Sequence, residues 1–154
     1  MFDFDTVLEK FDQIVDIPFI LNELSDIGCL VYPTGSRVTC SPAPTGSDWD
    51  YLIYIRQDKF ESLLEKISNL GFKIEGNEEY DMYKNEFVSF RKGELNLIVT
   101  CQSEFRDRHV IATKICKQLN LMDKQDRIMV FQGMLYGRYY DAEEAKILDS
   151  LAEQ

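Results

Sequence analysis

The sequence predicts an α/β fold: a small mixed β-sheet with flanking helices and a helical C-terminal part. Three observations carry that expectation. Apolar residues recur at helical spacing in blocks at both ends of the chain. Between them lie short runs of β-type residues, Leu30-Val31-Tyr32, Tyr51 to Ile55, Phe87 to Phe90 and Leu95 to Thr100. A long amphipathic segment, Asp58 to Leu70, separates the second of these runs from the third, which gives the order strand, helix, strand pair. At 154 residues the chain is expected to form a single domain, with a core over about 20–100 and a helical extension over about 103–154.

Each element has a local reason. Phe4, Val7, Leu8, Phe11, Ile14 and Val15 are spaced as one helical face. Asp16-Ile17-Pro18 punctuates, and Pro18 suits the first turn of a second helix that runs to Asp26, with Ile20, Leu21 and Leu24 inward. Gly28 stops it. Leu30 to Tyr32 is a short strand that feeds the turn Thr34-Gly35-Ser36, and Arg37 to Cys40 can start a helical turn. Ser41 to Ser47, rich in Pro, Gly and Ser, is a loop. The strand after it begins Asp48-Trp49-Asp50, and Trp49 is expected to point away from the two acids into the core. Asp58 can cap the long helix, Phe60, Leu63, Leu64 and Ile67 form its buried face, and Gly71 ends it. Phe72 to Ile74 reads as a short strand, Glu75 to Asn85 as a loop, and Phe87 to Phe90 with Leu95 to Thr100 as a hairpin turning at Lys92-Gly93. The remainder is helical: Glu104 to Leu119, a helix capped by Asp123 with Ile128, Phe131 and Leu135 on one side and broken by Gly137, and Asp141 to Leu151.

Composition narrows the function classes. With 45% hydrophobic and 12% aromatic residues the chain can bury a core. No apolar run approaches the ~20 residues of a membrane span, and the acidic, amphipathic start lacks the pattern of a signal peptide. A net charge of −10 argues against extended nucleic-acid binding, which depends on neutralising phosphates, but permits a local pocket for one nucleotide or a basic protein partner. Four cysteines without CxxC spacing and a lone His109 do not make a zinc site, so free thiols in a reducing cytoplasm are expected. His109 alone is more often structural or exposed than catalytic. Tyr136, Tyr139 and Tyr140 could stack on a base or simply pack.

The chemistry concentrates between Thr34 and Ile55. Gly35-Ser36 allows close backbone approach to a phosphate. Asp48 and Asp50, two apart on a strand, share one face and could hold Mg²⁺ against substrate phosphates; the bland alternative is a polar strand start after a loop. Gly35-Ser36, the spacer Arg37 to Ser47 and Asp48-x-Asp50, flanked by hydrophobic strands, resemble the nucleotidyltransferase superfamily of the DNA polymerase β type, in its minimal form. The resemblance covers roughly residues 20–100. It implies that Asp48 and Asp50 are metal ligands and that Gly35 and Ser36 hold a nucleoside triphosphate. The family's third acid falls on Asn96, within Leu95-Asn96-Leu97, and Asn can ligate a metal through its carbonyl oxygen but cannot take a proton as a general base. Glu94 could substitute for it, or could simply be exposed beside Gly93. Arg37, Arg91 and Lys92 are candidate triphosphate cations or ordinary surface charges, while Lys114, Lys117, Lys124 and Arg127 read as a solvated helical face. The segment from Leu95 through Gly137 is similar to small, mostly uncharacterised bacteriophage proteins with this core, which implies the cytoplasm of an infected bacterium. Two functions follow. One is a Mg²⁺-dependent transfer of a nucleoside monophosphate from a nucleoside triphosphate to a hydroxyl. The other is a catalytically degenerate relative that binds a nucleotide or a host defence protein.

Overall fold

A computed structural model describes residues 16–75 and 86–137. The elements are α1 (Ile17–Ser25), β1 (Leu30–Thr34), a single helical turn α2 (Ser36–Thr39), β2 (Trp49–Tyr54), α3 (Gln57–Asn69), β3 (Lys73–Ile74), β4 (Val88–Lys92), β5 (Leu95–Thr100), α4 (Ser103–Leu119) and α5 (Lys124–Tyr136). The helices expected over 2–15 and 141–151, most of the loop expected over 75–85, and Tyr139 and Tyr140 lie outside the described residues.

The five strands form one mixed sheet in the order β1-β2-β5-β4-β3. The central pair, β2 and β5, is parallel and the other neighbours are antiparallel. A parallel pair needs a crossover, and α3 with the β3–β4 hairpin supplies it. The hairpin between β4 and β5 is the one the alternating sequence predicts.

Caps explain most helix starts. Asp16 accepts a hydrogen bond from Phe19 N at 3.1 Å, and a proline occupies the first turn of α1. Asp123 accepts from the N–H groups of Gln125 and Asp126 and starts α5. The expected Asp58 cap is a correction. Arg56 is the N-cap of α3, and Asp58 sits in its first turn, paired with Arg56 on the surface. There its charge favours the positive end of the helix dipole instead.

Cross-strand partners point to the same face of a sheet, so the register sorts the side chains. One face carries Val31, Ile53 and Val99, then Tyr51, Leu97 and Phe90; it packs with Ile20 and Leu24 of α1 and with Leu63 and Ile67 of α3. The other face carries Tyr32, Leu52 and Ile98, and it packs with Phe105 and Val110 of α4 and with Phe131 and Leu135 of α5. Trp49 departs from expectation. It alternates away from the acids but remains 38% exposed, because it sits at the very start of β2. The guanidinium of Arg37 covers its ring at 4.1 Å instead.

Candidate functional site

One row of the sheet is polar. The register aligns Thr34, Asp50, Asn96 and Arg91 across β1, β2, β5 and β4. This row lies at the N-terminal ends of β2 and β5, on the face that carries α4 and α5, beyond the reach of the Leu52 and Ile98 packing. Asp48, two residues before Asp50, lies on the same side, as strand alternation requires. Both acids line an open pocket of about 460 Å³ together with Thr34, Gly35, Ser36 and Asn96. That volume falls within the ~300–1,000 Å³ range of small-molecule sites.

Gly35 is set against Asp50. A Cβ built on Gly35 would fall 2.8 Å from Cγ and 2.9 Å from Cβ of Asp50. Its φ is +77°, a conformation that side chains rarely adopt. Both facts demand glycine, and both come from the close passage of the β1–α2 turn over the carboxylate. Val38 and Thr39 donate their N–H groups to Gly35 O, which leaves the N–H groups of Ser36 and Arg37 outside the turn's own bonds.

The carboxylates are braced from behind. Asn96 Nδ2 donates to Asp50 Oδ1 at 3.1 Å, and Ser89 Oγ donates to Asn96 Oδ1 at 3.2 Å. Asp50 accepts only, which fixes the Asn96 amide with its nitrogen forward. The Asn96 carbonyl oxygen therefore faces Ser89 and accepts from its hydroxyl. Arg91 Nη1 pairs with Asp48 Oδ2 at 3.0 Å, and Arg91 Nε with Glu75 Oε2 at 2.8 Å. Burial raises the Asp50 pKa above the ordinary carboxylate range. The Asn96 hydrogen bond opposes that, the Asp48 charge adds to it, Arg91 opposes it and Glu75 adds to it.

The fit to Mg²⁺ can be tested on these partners. Asp48 Oδ1 and Asp50 Oδ2 carry no hydrogen bond among the described residues. No group of three or more His, Cys, Asp or Glu suited to a metal occurs among the described residues. Two carboxylates completed by phosphate oxygens and water are a set that Mg²⁺ accepts.

The remaining candidates divide. Glu94 is exposed, precedes β5 and does not line the pocket; its carbonyl accepts from Trp49 N at 2.7 Å. Arg37 donates from Nε to Ser47 O at 2.9 Å and covers Trp49, so it holds the loop that leads into Asp48. Lys92 caps the end of α3 by donating to Leu70 O at 2.9 Å. The cations that do line the pocket are Lys124 and Arg127, assigned from helical spacing to a solvated face. Arg127 Nη1 is occupied by Leu121 O at 2.9 Å, Met122 O at 2.8 Å and Cys40 Sγ at 3.1 Å, and so ties the α4–α5 connection to the loop after α2. Lys124 is exposed at the pocket and makes no ion pair among the described residues. Sequence reasoning missed both because the chain path that brings α5 back to the β1–α2 turn is a tertiary fact. The Asp123 cap, which sets Lys124 in the first turn, was the one usable signal.

No family model matches the sequence, and no curated protein matches it. Solved structures share a partial likeness at low identity. Terminal uridylyl transferase 4 from Trypanosoma brucei, with bound UTP and UpU, aligns at TM-score 0.42 and 12% identity, covering 74% of this chain and 42% of that one. A cytoplasmic RNA terminal U-transferase aligns at 0.43 and 13%, covering 83% and 42%. The Cid1 poly(U) polymerase aligns at 0.43 and 13%, covering 77% and 40%. This chain spans about two fifths of the length of each. Among the described residues no helix is long and apolar enough to cross a membrane.

Proposed function

We propose that this chain is a Mg²⁺-dependent nucleotidyltransferase that moves a nucleoside monophosphate from a nucleoside triphosphate to a hydroxyl acceptor. The observation that supports this most is the fit of Gly35 over Asp50. A side chain is excluded there, and a turn whose Ser36 and Arg37 N–H groups lie outside its own hydrogen bonds stands beside two carboxylates on one pocket wall. Asp48 and Asp50 would hold the metal, which would supply positive charge against the phosphate oxygens. Gly35 and Ser36 hold the triphosphate, and Lys124 supplies the nearby cation. The acceptor oxygen bonds to the α-phosphorus as the bond to the pyrophosphate oxygen breaks. The Asn96 amide is too weak a base to take the hydroxyl proton, so that proton leaves to water. The sheet and its helices act as a single domain, and the working compartment is the cytoplasm.

A specific observation favours a second reading. The carboxylate opposite the pair is replaced by an amide bonded to Asp50 and Ser89, and Arg91 already neutralises Asp48. A protein built this way can bind a nucleotide, or a host protein with a basic surface, without turnover.

Transfer of label from each α-labelled nucleoside triphosphate to cell extract, with wild type and Asp50→Asn, separates the two. Mg²⁺-dependent labelled product from wild type alone is the outcome expected of an enzyme. Nucleotide binding with no labelled product would overturn transfer and leave binding. Because burial disfavours the Asp50 charge, Asp50→Asn is also expected to melt at a higher temperature than wild type at pH 7 when no ligand is present.

A further inference from the structure

The acids of the pocket are few and half engaged. Asp48 and Asp50 are its only carboxylates among the described residues, and its far end, formed by Ile98, Ile128 and Phe131, is apolar and offers nothing to a cation. Each acid has one oxygen occupied. Asp50 Oδ1 accepts from Asn96 Nδ2 at 3.1 Å, and Asp48 Oδ2 meets Arg91 Nη1 at 3.0 Å. Asp50 Oδ2, which lies against Gly35, and Asp48 Oδ1 are left for a metal ion.

Arg91 is held from both sides. It is the β4 register partner of Asn96 and so ends the row Thr34, Asp50, Asn96. Its Nε donates to Glu75 Oε2 at 2.8 Å, and the Glu75 N–H is in turn bonded to Ser89 O at 2.8 Å. The Arg91 and Asp48 side chains are 33% and 42% exposed, so the strength of their pair decides little. Its position decides more. A guanidinium does not lose its proton, so a permanent positive charge rests on one oxygen of Asp48. Neither Arg91 nor Glu75 lines the pocket, so this charge reaches the site only through Asp48.

Two-ion sites hold their metals about 3.5–4 Å apart and need anionic oxygens for both. A second ion here would have to take Asp48 Oδ2, the oxygen that Arg91 engages, and would meet a like charge beside it. We propose that Arg91 stands in for a second divalent cation, so that the site takes a single Mg²⁺ with its nucleotide. The inference rests on the metal and nucleotide reading above. Arg91 is in this sense a positioning residue: it acts by engaging one carboxylate oxygen of Asp48 and leaving the other to the ion.

Mn²⁺ titration followed by electron paramagnetic resonance counts the ions. Wild type, Arg91→Lys, Arg91→Gln and Arg91→Met are compared, each first shown to be folded by its melting curve, with α,β-nonhydrolysable analogues of the four nucleoside triphosphates. Wild type is expected to hold one Mn²⁺ per protein–nucleotide complex, with the spectrum of an isolated ion. Arg91→Lys keeps the charge and is expected to match it. The neutral variants are expected to hold two, with the spin-coupled spectrum of neighbouring ions. Two coupled ions in wild type would overturn the inference whatever the variants do. A single ion in a folded neutral variant would overturn it as well, because the count would then not depend on Arg91. Failure of every analogue to bind, or binding indifferent to Mn²⁺, would instead remove the metal and nucleotide reading, and the role of Arg91 with it.

Discussion

On one face of the sheet Ile53, Leu97, Val99 and Phe90 meet α1 and α3 in an apolar core with nearly all its side chains out of water. On the other, Leu52 and Ile98 meet α4 and α5 in a packing that leaves cavities of about 40, 310 and 460 Å³, all bordered by His109. The first face is filled mainly by aliphatic residues, with Phe72 and Phe90 among them. The second is filled by aromatic rings, a histidine and Gln132, together with a row of polar residues at one end of the strands. The difference teaches where this fold keeps its stability and where it keeps its chemistry. The closed face holds the strands in register, and that register brings Asp50 between Thr34 and Asn96. The open face is free to carry buried polar groups that would weaken a core.

The sharpest way to break the contrast uses two neighbours on one strand. Leu97 and Ile98 differ by one position and point to opposite faces. Leu97→Ala is expected to cost about 2–5 kcal/mol, the range for a buried leucine. Ile98→Ala, beside existing cavities, is expected to cost less than half as much. Urea unfolding of the two variants measures this, and equal losses would mean that both faces are packed alike.

A somewhat smaller effect is expected from His109. Its pKa in the folded protein, about 4, lies below the ordinary 6.5. The unfolded chain therefore binds the proton first. Stability is present above pH 6.5 and is lost as the pH falls through this window toward 4. The loss attributable to this group is about 3 kcal/mol between those limits. Unfolding free energies of wild type and His109→Phe at pH 7 and pH 4 isolate it. An identical pH slope in the two proteins would place the imidazole in water and take away the contrast between the faces.

The smallest effect sharpens the comparison at the site itself. Gly35 and Gly46 both have φ +77°, but a Cβ on Gly46 meets nothing within 4 Å while one on Gly35 meets Asp50. Gly46→Ala is expected to cost only the backbone strain, at most ~1–3 kcal/mol. Gly35→Ala carries the same strain plus displacement of Asp50, so it is expected to lose more stability and to weaken Mg²⁺-dependent nucleotide binding as well. Thermal melts with and without Mg²⁺-bound nucleotide distinguish the two. Equal behaviour would mean that the Gly35–Asp50 contact has no part in the site.

Much of this molecule could be read directly from its residues. Periodicity of 3.6 marked α1, α3, α4 and α5. Alternation marked the β4–β5 hairpin, and the two-residue spacing of Asp48 and Asp50 placed both acids on one face. These are local properties, set by backbone geometry and the burial of one side of each element. Partnership between elements was not legible in the same way. That Asn96 spends its carbonyl on Ser89 and its amide on Asp50, that Arg91 neutralises Asp48, and that Arg37 covers Trp49 all follow from sheet register and loop path. So does the assembly of the apolar end of the pocket from β5, α4 and α5. The sequence by itself determined the elements, their order and the two carboxylates. The tertiary structure decided which cations reach the site, what holds each carboxylate, and that a histidine far along the chain stands with a buried nitrogen at the same pocket. Those outcomes depend on contacts between segments dozens of residues apart, and no local pattern encodes such contacts.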